Sequence, residues 1–268
     1  MYDASAVAVR PALCCRSDGA AEPIQRNTPV EAPVGLSYGG RPHTVLMATP
    51  DDLADLARGF TVTEGVAAPE EIADIRIEER EEGWLADVTL RGDVRARARP
   101  RTLEGRSSCG LCGVQRLKDV VRPLPPVESA ATFSLSAVRS ALESLEARQD
   151  LGRLTRATHA AAFADAAGEI RLVREDVGRH NALDKLAGAL FATGQPVDQG
   201  FVVVTSRCSF EMVEKAVRMG APMIVAVSAP TDLAVRRAET AGLTLVALAR
   251  ADAQLVFAGG ERLTGQAA

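Results

Sequence analysis

Histidine occurs only three times in these 268 residues, and none of the three opens an H-x-E triplet. A zinc deaminase needs H-x-E upstream of P-C-x-x-C, so that class is excluded. A structural zinc site wants four ligands, commonly two C-x-x-C pairs or one pair with spaced histidines. Only one such cysteine pair is present, and no tightly held metal is expected. No apolar run is long enough to cross a bilayer, so no membrane partner is expected. The N-terminus lacks a secretory layout, because Asp3 comes early and Arg10 and Pro11 interrupt Val7-Ala8-Val9. A basic excess is also missing: the net charge is −4, which argues against nucleic acid as partner. There is no internal repeat and no low-complexity segment. These absences place the chain in the cytoplasm as an expectation. Thiols stay reduced there, so a C-x-x-C points to metal binding or catalysis rather than to a structural disulfide.

What is present centres on Arg106-Ser107-Ser108-Cys109-Gly110-Leu111-Cys112-Gly113, which holds two of the five cysteines. Glycine follows each one, and glycine frees the backbone for turns and close approach. The pattern reads as an exposed loop that the rest of the chain presents. Just upstream, Arg91, Arg95, Arg97, Arg99 and Arg101 recur at even spacing, which puts them on one face of a strand. They form either a solvated edge that discourages aggregation or an electropositive wall that favours thiolate and draws an anion.

Residues 1–30 show no clear periodicity and are read as a loosely ordered arm carrying Cys14 and Cys15. Residues 31–130 read as an α+β subdomain ending in the cysteine loop. Within it, strands run over Val30–Tyr38 and Pro42–Ala48 around Gly39-Gly40. A helix opens with Thr49 as cap and Pro50 at its first position, with Leu53, Leu56, Ala57 and Phe60 inward. A hairpin follows over Ile72–Glu79 and Trp84–Leu90. Val114–Val121 reads as a short helix, and prolines 123, 125 and 126 mark a connector. Residues 131–268 read as an α/β domain. Ser136 is expected to cap its first helix, which runs to about Arg148. Strands of unbroken apolar residues then alternate with helices over 177–192, 211–219 and 231–241, the mark of a sheet covered on both faces.

Ligands of open α/β sheets bind beyond the carboxyl ends of strands. Three such ends carry polar clusters: Thr205–Ser209, Ser228–Asp232 and Arg250-Ala251-Asp252. The plainer reading of each is helix capping. The run Arg174–Lys185 is denser, with Arg179, His180 and Asn181 near a helix start, where they could hold a phosphate or heterocycle; its plainer reading is a salt-bridged helix face. For the cysteine pair three chemistries stand open: sulfur carriage as a persulfide, dithiol oxidoreduction, or no catalysis at all in a chaperone.

Ser107–Gly113, the Arg174–Lys185 run, Ser228-Ala229-Pro230-Thr231 and Thr49-Pro50 together resemble the formate dehydrogenase accessory sulfurtransferases, the FdhD family, over about 31–262. The resemblance implies a three-layer α/β/α cytidine deaminase-like domain with a smaller N-terminal α+β subdomain, in a homodimer. It implies a sulfurtransferase that takes sulfur from a cysteine desulfurase and delivers it to the molybdenum cofactor, bis(molybdopterin guanine dinucleotide). The cofactor is bound as substrate and is then inserted into formate dehydrogenase. The first cysteine, Cys109, would carry the persulfide and Cys112 would assist. The cofactor-binding segment would be Leu248-Ala249-Arg250-Ala251-Asp252-Ala253, which holds no glycine and one side chain suited to phosphate, Arg250. The rival function is a non-catalytic chaperone for the same cofactor.

Overall fold

The structure, a computed structural model, describes residues 6–92 and 123–265. The cysteine loop with Cys109 and Cys112, the arginines at 95–101 and the helix expected over 114–121 lie outside the described residues.

The first surprise is the N-terminal arm. It is a regular hairpin of β1 (Val7–Cys15) and β2 (Ala21–Pro29), paired from Val7↔Pro29 to Cys15↔Ala21. Most of both strands is exposed, so neither face imposes an apolar period, and the sequence shows none.

The next part matches the sequence pattern closely. β3 (Ala32–Tyr38) turns through Gly39 and Gly40, both at positive φ, into β4 (Arg41–Ala48). Two left-handed residues in succession make the turn whose twist suits a hairpin. β5 (Ile72–Arg80) and β6 (Gly83–Leu90) form a second hairpin, and β6 joins β3 in parallel to give the order β4-β3-β6-β5. Helix α1 (Leu53–Thr63) lays Leu53, Leu56, Ala57 and Phe60 on this sheet, against Val34, Leu36, Ala86 and Val88. It begins later than Thr49-Pro50 suggests. Its cap is Asp52, in the left-handed region at φ 53°, because Thr49 is engaged elsewhere.

The larger part is built on a six-stranded sheet. Its strands are β8 (His159–Asp165), β9 (Ile170–Asp176), β10 (Gly200–Val204), β11 (Met223–Ala226), β12 (Thr244–Ala247) and β13 (Leu255–Ala258), in the order β13-β12-β11-β10-β8-β9. β10, β11 and β12 are parallel; β8 and β13 run against them. Helix α2 (Leu135–Leu145) covers one face, where Val138, Ala141 and Leu145 meet Phe201, Val203 and Val225. Its cap is Ser134 rather than Ser136, for Ser134 Oγ accepts from Ala137 N at 3.0 Å. Ser134 belongs to a two-residue strand, β7 (Phe133–Ser134), paired in parallel with β14 (Leu263–Thr264). A short helix α3 (Asp150–Thr155) follows α2. Helices α4 (Arg179–Thr193), α5 (Phe210–Arg218) and α6 (Asp232–Ala241) cover the other face, with Leu183, Leu186, Met212 and Ala238 against Val202, Val204, Ile224 and Leu245. This is the three-layer α/β/α arrangement.

The two parts are welded where α1 crosses α4. Gly59 and Gly188 let the backbones touch: a β-carbon on Gly59 would sit 1.7 Å from the Asp184 carbonyl oxygen, and one on Gly188 would sit 1.9 Å from that of Asp55. Roofed by α1 and floored by the sheet, α4 is buried from His180 to Leu190.

Candidate functional site

Strand direction assembles the site. β8 is antiparallel to β10, and β9 to β8, so the ends of β9, β10, β11 and β12 and the start of β8 share one edge of the sheet. The loops there carry His159, the start of α4, Thr205–Ser209, Ser228–Thr231 and Leu248–Ala253.

Most of the Arg174–Lys185 run is turned inward. Arg174 pairs with Asp52 at 3.1 Å and with Asp55 at 2.8 Å, tying β9 to α1. Glu175 accepts from the amides of Leu151 and Gly152 at 2.8 and 2.7 Å and from Thr158 Oγ1 at 3.2 Å, which pins α3 to β8 and β9. Burial nevertheless raises its carboxyl above the ordinary range. Lys185 Nζ lies 2.7 Å from Asp176 Oδ2, and neither side chain is exposed. Thr49 completes this knot: its amide donates to Asp176, its carbonyl accepts from Lys185, and its hydroxyl accepts from Val177 N. Asn181 bridges Asp176 Oδ1 and the Met47 carbonyl at 2.9 and 2.8 Å. The expectation that Asn181 holds a ligand is therefore overturned; it closes the junction between the two parts. A second buried knot joins Lys215 to Asp184 and Glu64, each at 2.9 Å, with Thr63 alongside. Burial raises the Asp184 carboxyl; for Lys215 burial works downward, but the two carboxylates prevail and raise it.

Arg179 and His180 do reach the edge. His180 Nε2 sits 3.3 Å from Glu211 Oε2, and Arg179 Nε is buried without a hydrogen-bond partner among the described residues. His159 is held below its usual range by burial and by Arg179, which keeps it neutral at pH 7.

The strand-end clusters divide. Thr231 is a helix cap, accepting from Ala234 N at 3.2 Å. The loops after β10 and β11 are zipped through Cys208 N to Ala229 O and Thr231 N to Cys208 O. Cys208 is wholly buried, and burial pushes its thiol up to about 12, so it is a core residue and not a nucleophile.

Leu248–Ala253 forms a single turn after β12. Leu248 takes φ 49° and is 40% exposed, while its amide donates to Ser228 O. Ala249 is buried, and Ala251 and Asp252 form the exposed tip. Arg250 N closes the turn on Ala253 O at 2.7 Å, and Arg250 Nη1 reaches Val227 O at 3.0 Å.

Sequence reasoning missed a cleft of about 640 Å³ beside this turn, between the end of α2, α3 and the strand ends of β10 and β11. To its lining α2 contributes Leu142 and Leu145, α3 and its C-cap contribute Arg153 and Arg156, and the strand ends contribute Thr158, Thr205 and Val227. The available signal was the basic run Arg148–Arg156, overlooked because α3 is too short to show a period. With Arg179, Arg207 and Arg250, five arginines gather at this edge among the described residues. Of the acids described there, Glu175 and Asp176 are committed internally, Glu211 faces His180 and Asp150 pairs with Arg153, while Glu146 and Asp252 are exposed. The arrangement suits a polyanionic ligand. Among the described residues no group of three His, Cys, Asp or Glu could hold a metal ion. No helix there is long and apolar enough to cross a membrane.

Comparison with known proteins agrees with this architecture. The chain is 48% identical over 240 residues to the sulfur carrier protein FdhD of Cupriavidus necator, covering 88% of this chain and 83% of that one. It is 46% identical over 243 residues to its namesake in Variovorax paradoxus, covering 88% and 86%. A crystal structure from Desulfotalea psychrophila, described as a formate dehydrogenase accessory protein, shares the fold with a TM-score of 0.77 at 23% identity, covering 96% of this chain and 99% of that one. The FdhD/NarQ family profile matches residues 29–264, and the chain belongs to that family.

Proposed function

We propose that this chain is a sulfurtransferase of molybdoenzyme maturation, carrying sulfur on Cys109 from a cysteine desulfurase to bis(molybdopterin guanine dinucleotide) before that cofactor enters formate dehydrogenase. The observation that carries the reading is a Cys109-Gly110-Leu111-Cys112 pair in a chain nearly half identical to proteins named sulfur carriers. The arginine-rich strand-end edge supports a large anionic cargo, with Leu248–Ala253 as its binding turn. The reading places the work in the cytoplasm and in a homodimer.

The chemistry balances without a resident metal. The Cys109 thiolate attacks the outer sulfur of the donor's persulfide. The donor's S–S bond breaks, the donor leaves as thiolate, and Cys109 holds the persulfide; no net oxidation occurs. For release, the Cys112 thiolate attacks the inner sulfur at Cys109 and the outer sulfur departs as hydrosulfide toward the cargo. That sulfur gains two electrons from the two thiols, which become a Cys109–Cys112 disulfide. An external dithiol reductant then restores the pair.

Intact-mass spectrometry after incubation with a cysteine desulfurase and free cysteine tests the carrier role. One added sulfur is expected on the Cys109 peptide, removable by reductant and absent in Cys109→Ala. No gain while the desulfurase turns over would refute it. The cofactor chaperone makes the opposite prediction: Cys109→Ala would leave formate dehydrogenase active, whereas loss of a sulfur carrier leaves it assembled but inactive.

A further inference from the structure

Most of the polar groups packed around α4 are committed to the junction between the two parts, but one pair is not. His180, in the first turn of α4, is 8% exposed and places Nε2 3.3 Å from Oε2 of Glu211, in the first turn of α5. Ser209 Oγ donates to the same Glu211 oxygen at 3.2 Å. Serine, carboxylate and imidazole thus form a chain, the arrangement that fixes a histidine for proton transfer. The chain is also tied to the cargo turn. Cys208 N bonds Ala229 O and Leu248 N bonds Ser228 O, so backbone hydrogen bonds lace the loop before α5 to the loop after β11, and that loop to Leu248–Ala253.

A plain ion pair joining α4 to α5 does not account for this. Asp184 of α4 and Lys215 of α5 already make that tie at 2.9 Å, both buried. The start of a helix disfavours a cation, yet His180 sits at one helix start and faces another. Glu211 Oε1 and Arg179 Nε are buried without a hydrogen-bond partner among the described residues. Leaving such a group unmet costs roughly 1–3 kcal/mol, and a catalytic role is one of the few reasons a fold tolerates it. The other titratable and charged groups around the ring do not duplicate it. His159 of β8 is kept neutral by burial and by Arg179. Asp176 is paired with Lys185, and Arg207 is exposed in the loop before α5.

We propose that His180 is the general acid of sulfur transfer, with Glu211 as its positioning residue. The inference rests on the carrier reading above, in which the outer sulfur of the persulfide departs toward the cargo. Sulfide as a dianion is far too basic a leaving group, so that sulfur must gain a proton as it goes. The His180 imidazolium gives up its N–H proton, an S–H bond forms, and the sulfur leaves as hydrosulfide while the Cys109–Cys112 bond replaces the old S–S bond. The ring is recharged by the proton that the attacking thiol sheds, so no outside acid is consumed. Glu211 fixes the ring's orientation and steadies its charged form. Arg179, the preceding residue, adds positive charge beside the departing anion.

The test is single-turnover release of sulfide from the persulfide-loaded full chain, followed against pH after the desulfurase is removed. Loading of Cys109 is read first, by intact mass. Wild type should give a bell-shaped rate profile, rising as the attacking thiol ionises and falling as the acid loses its proton. His180→Gln keeps a hydrogen-bond donor for Glu211, so it should load like wild type. Its release should be about a hundredfold slower and lack the alkaline fall. In His180→Ala, added imidazole should restore release, a response that a residue of structural value alone does not give. Glu211→Gln should load normally, release more slowly than wild type and keep the alkaline fall, because the acid is still present. A wild-type rate with no alkaline fall overturns the proposal without any variant. So does release by His180→Gln at the wild-type rate, or slow release by His180→Ala that imidazole leaves unchanged; in each case a loaded Cys109 leaves the carrier reading standing. If wild-type Cys109 takes up no sulfur, the carrier reading and this inference fall together.

Discussion

Single residues divide into those spent on holding the molecule together and those left over for chemistry. The Arg174–Lys185 run looks functional because it is so polar, yet seven of its partners are backbone or side-chain groups of the protein's own β4, α1, the link between them, α3 and α5. Its density reflects a junction between two apolar bodies, where every buried charge must find a partner. Lys215 shows the consequence most sharply. Removing it as Lys215→Met leaves Asp184 and Glu64 facing each other without a cation, and the cost expected is about 3–5 kcal/mol in urea unfolding at pH 7. The pH dependence follows from sign. The folded Lys215 ammonium is raised above its ordinary value of 10.5, so its stabilisation is complete below about 10.5 and is lost as pH rises through the higher folded value. Wild type should therefore lose stability more steeply than Lys215→Met above pH 10.5; parallel curves would show that the ion pair contributes nothing.

At the level of elements, most helices and strands were legible because their apolar faces repeat within one segment. Leu183, Leu186, Ala187 and Leu190 recur at helical spacing along α4, and all four are buried. What could not be read was that the opposite face of α4 is buried too, since the covering helix α1 lies more than a hundred residues upstream. The same long-range pairing displaced the start of α1: Thr49 has the chemistry of a cap, but its hydroxyl accepts from the Val177 amide at 3.2 Å instead. The cap of α2 moved by two residues because capping needs a donor three positions on, and Ala137 supplies it to Ser134. The helix crossing yields a prediction with a diagnostic sign. Glycine to alanine inside a helix normally stabilises by about 0.5–1 kcal/mol. Gly188→Ala should instead destabilise, by about 1–3 kcal/mol or more, because its new methyl group meets the rigid Asp55 backbone. Thermal melting decides it, and an unchanged or raised midpoint would mean the two helices separate freely.

On the scale of the whole molecule, the division near residue 130 describes the order of the chain better than its mechanics. The layers run from α2 through the six-stranded sheet, then α4 with α5 and α6, then α1, to the four-stranded sheet. The edge where the candidate site lies could be foreseen, because strand direction and polar strand ends are both written in sequence. The cleft beside it could not, since its walls come from α2, α3, β8, β10 and β11, which only the fold brings together. A protein welded through buried glycines and two ionic knots should lose its structure all at once. The single tryptophan, Trp84, sits in β6 of the smaller sheet, so its fluorescence reports that part alone. Far-ultraviolet circular dichroism is dominated by helices of the larger part, α2 and α4 to α6. If the knots around Lys185 and Lys215 couple the two, the urea transitions by both probes coincide with one midpoint and one slope. A fluorescence transition at lower urea than the dichroism would mean that the small sheet and α1 open while α4 remains folded. That outcome would require the interface of Gly59, Gly188, Thr49 and Asp184 to be weaker than its burial and hydrogen bonding imply.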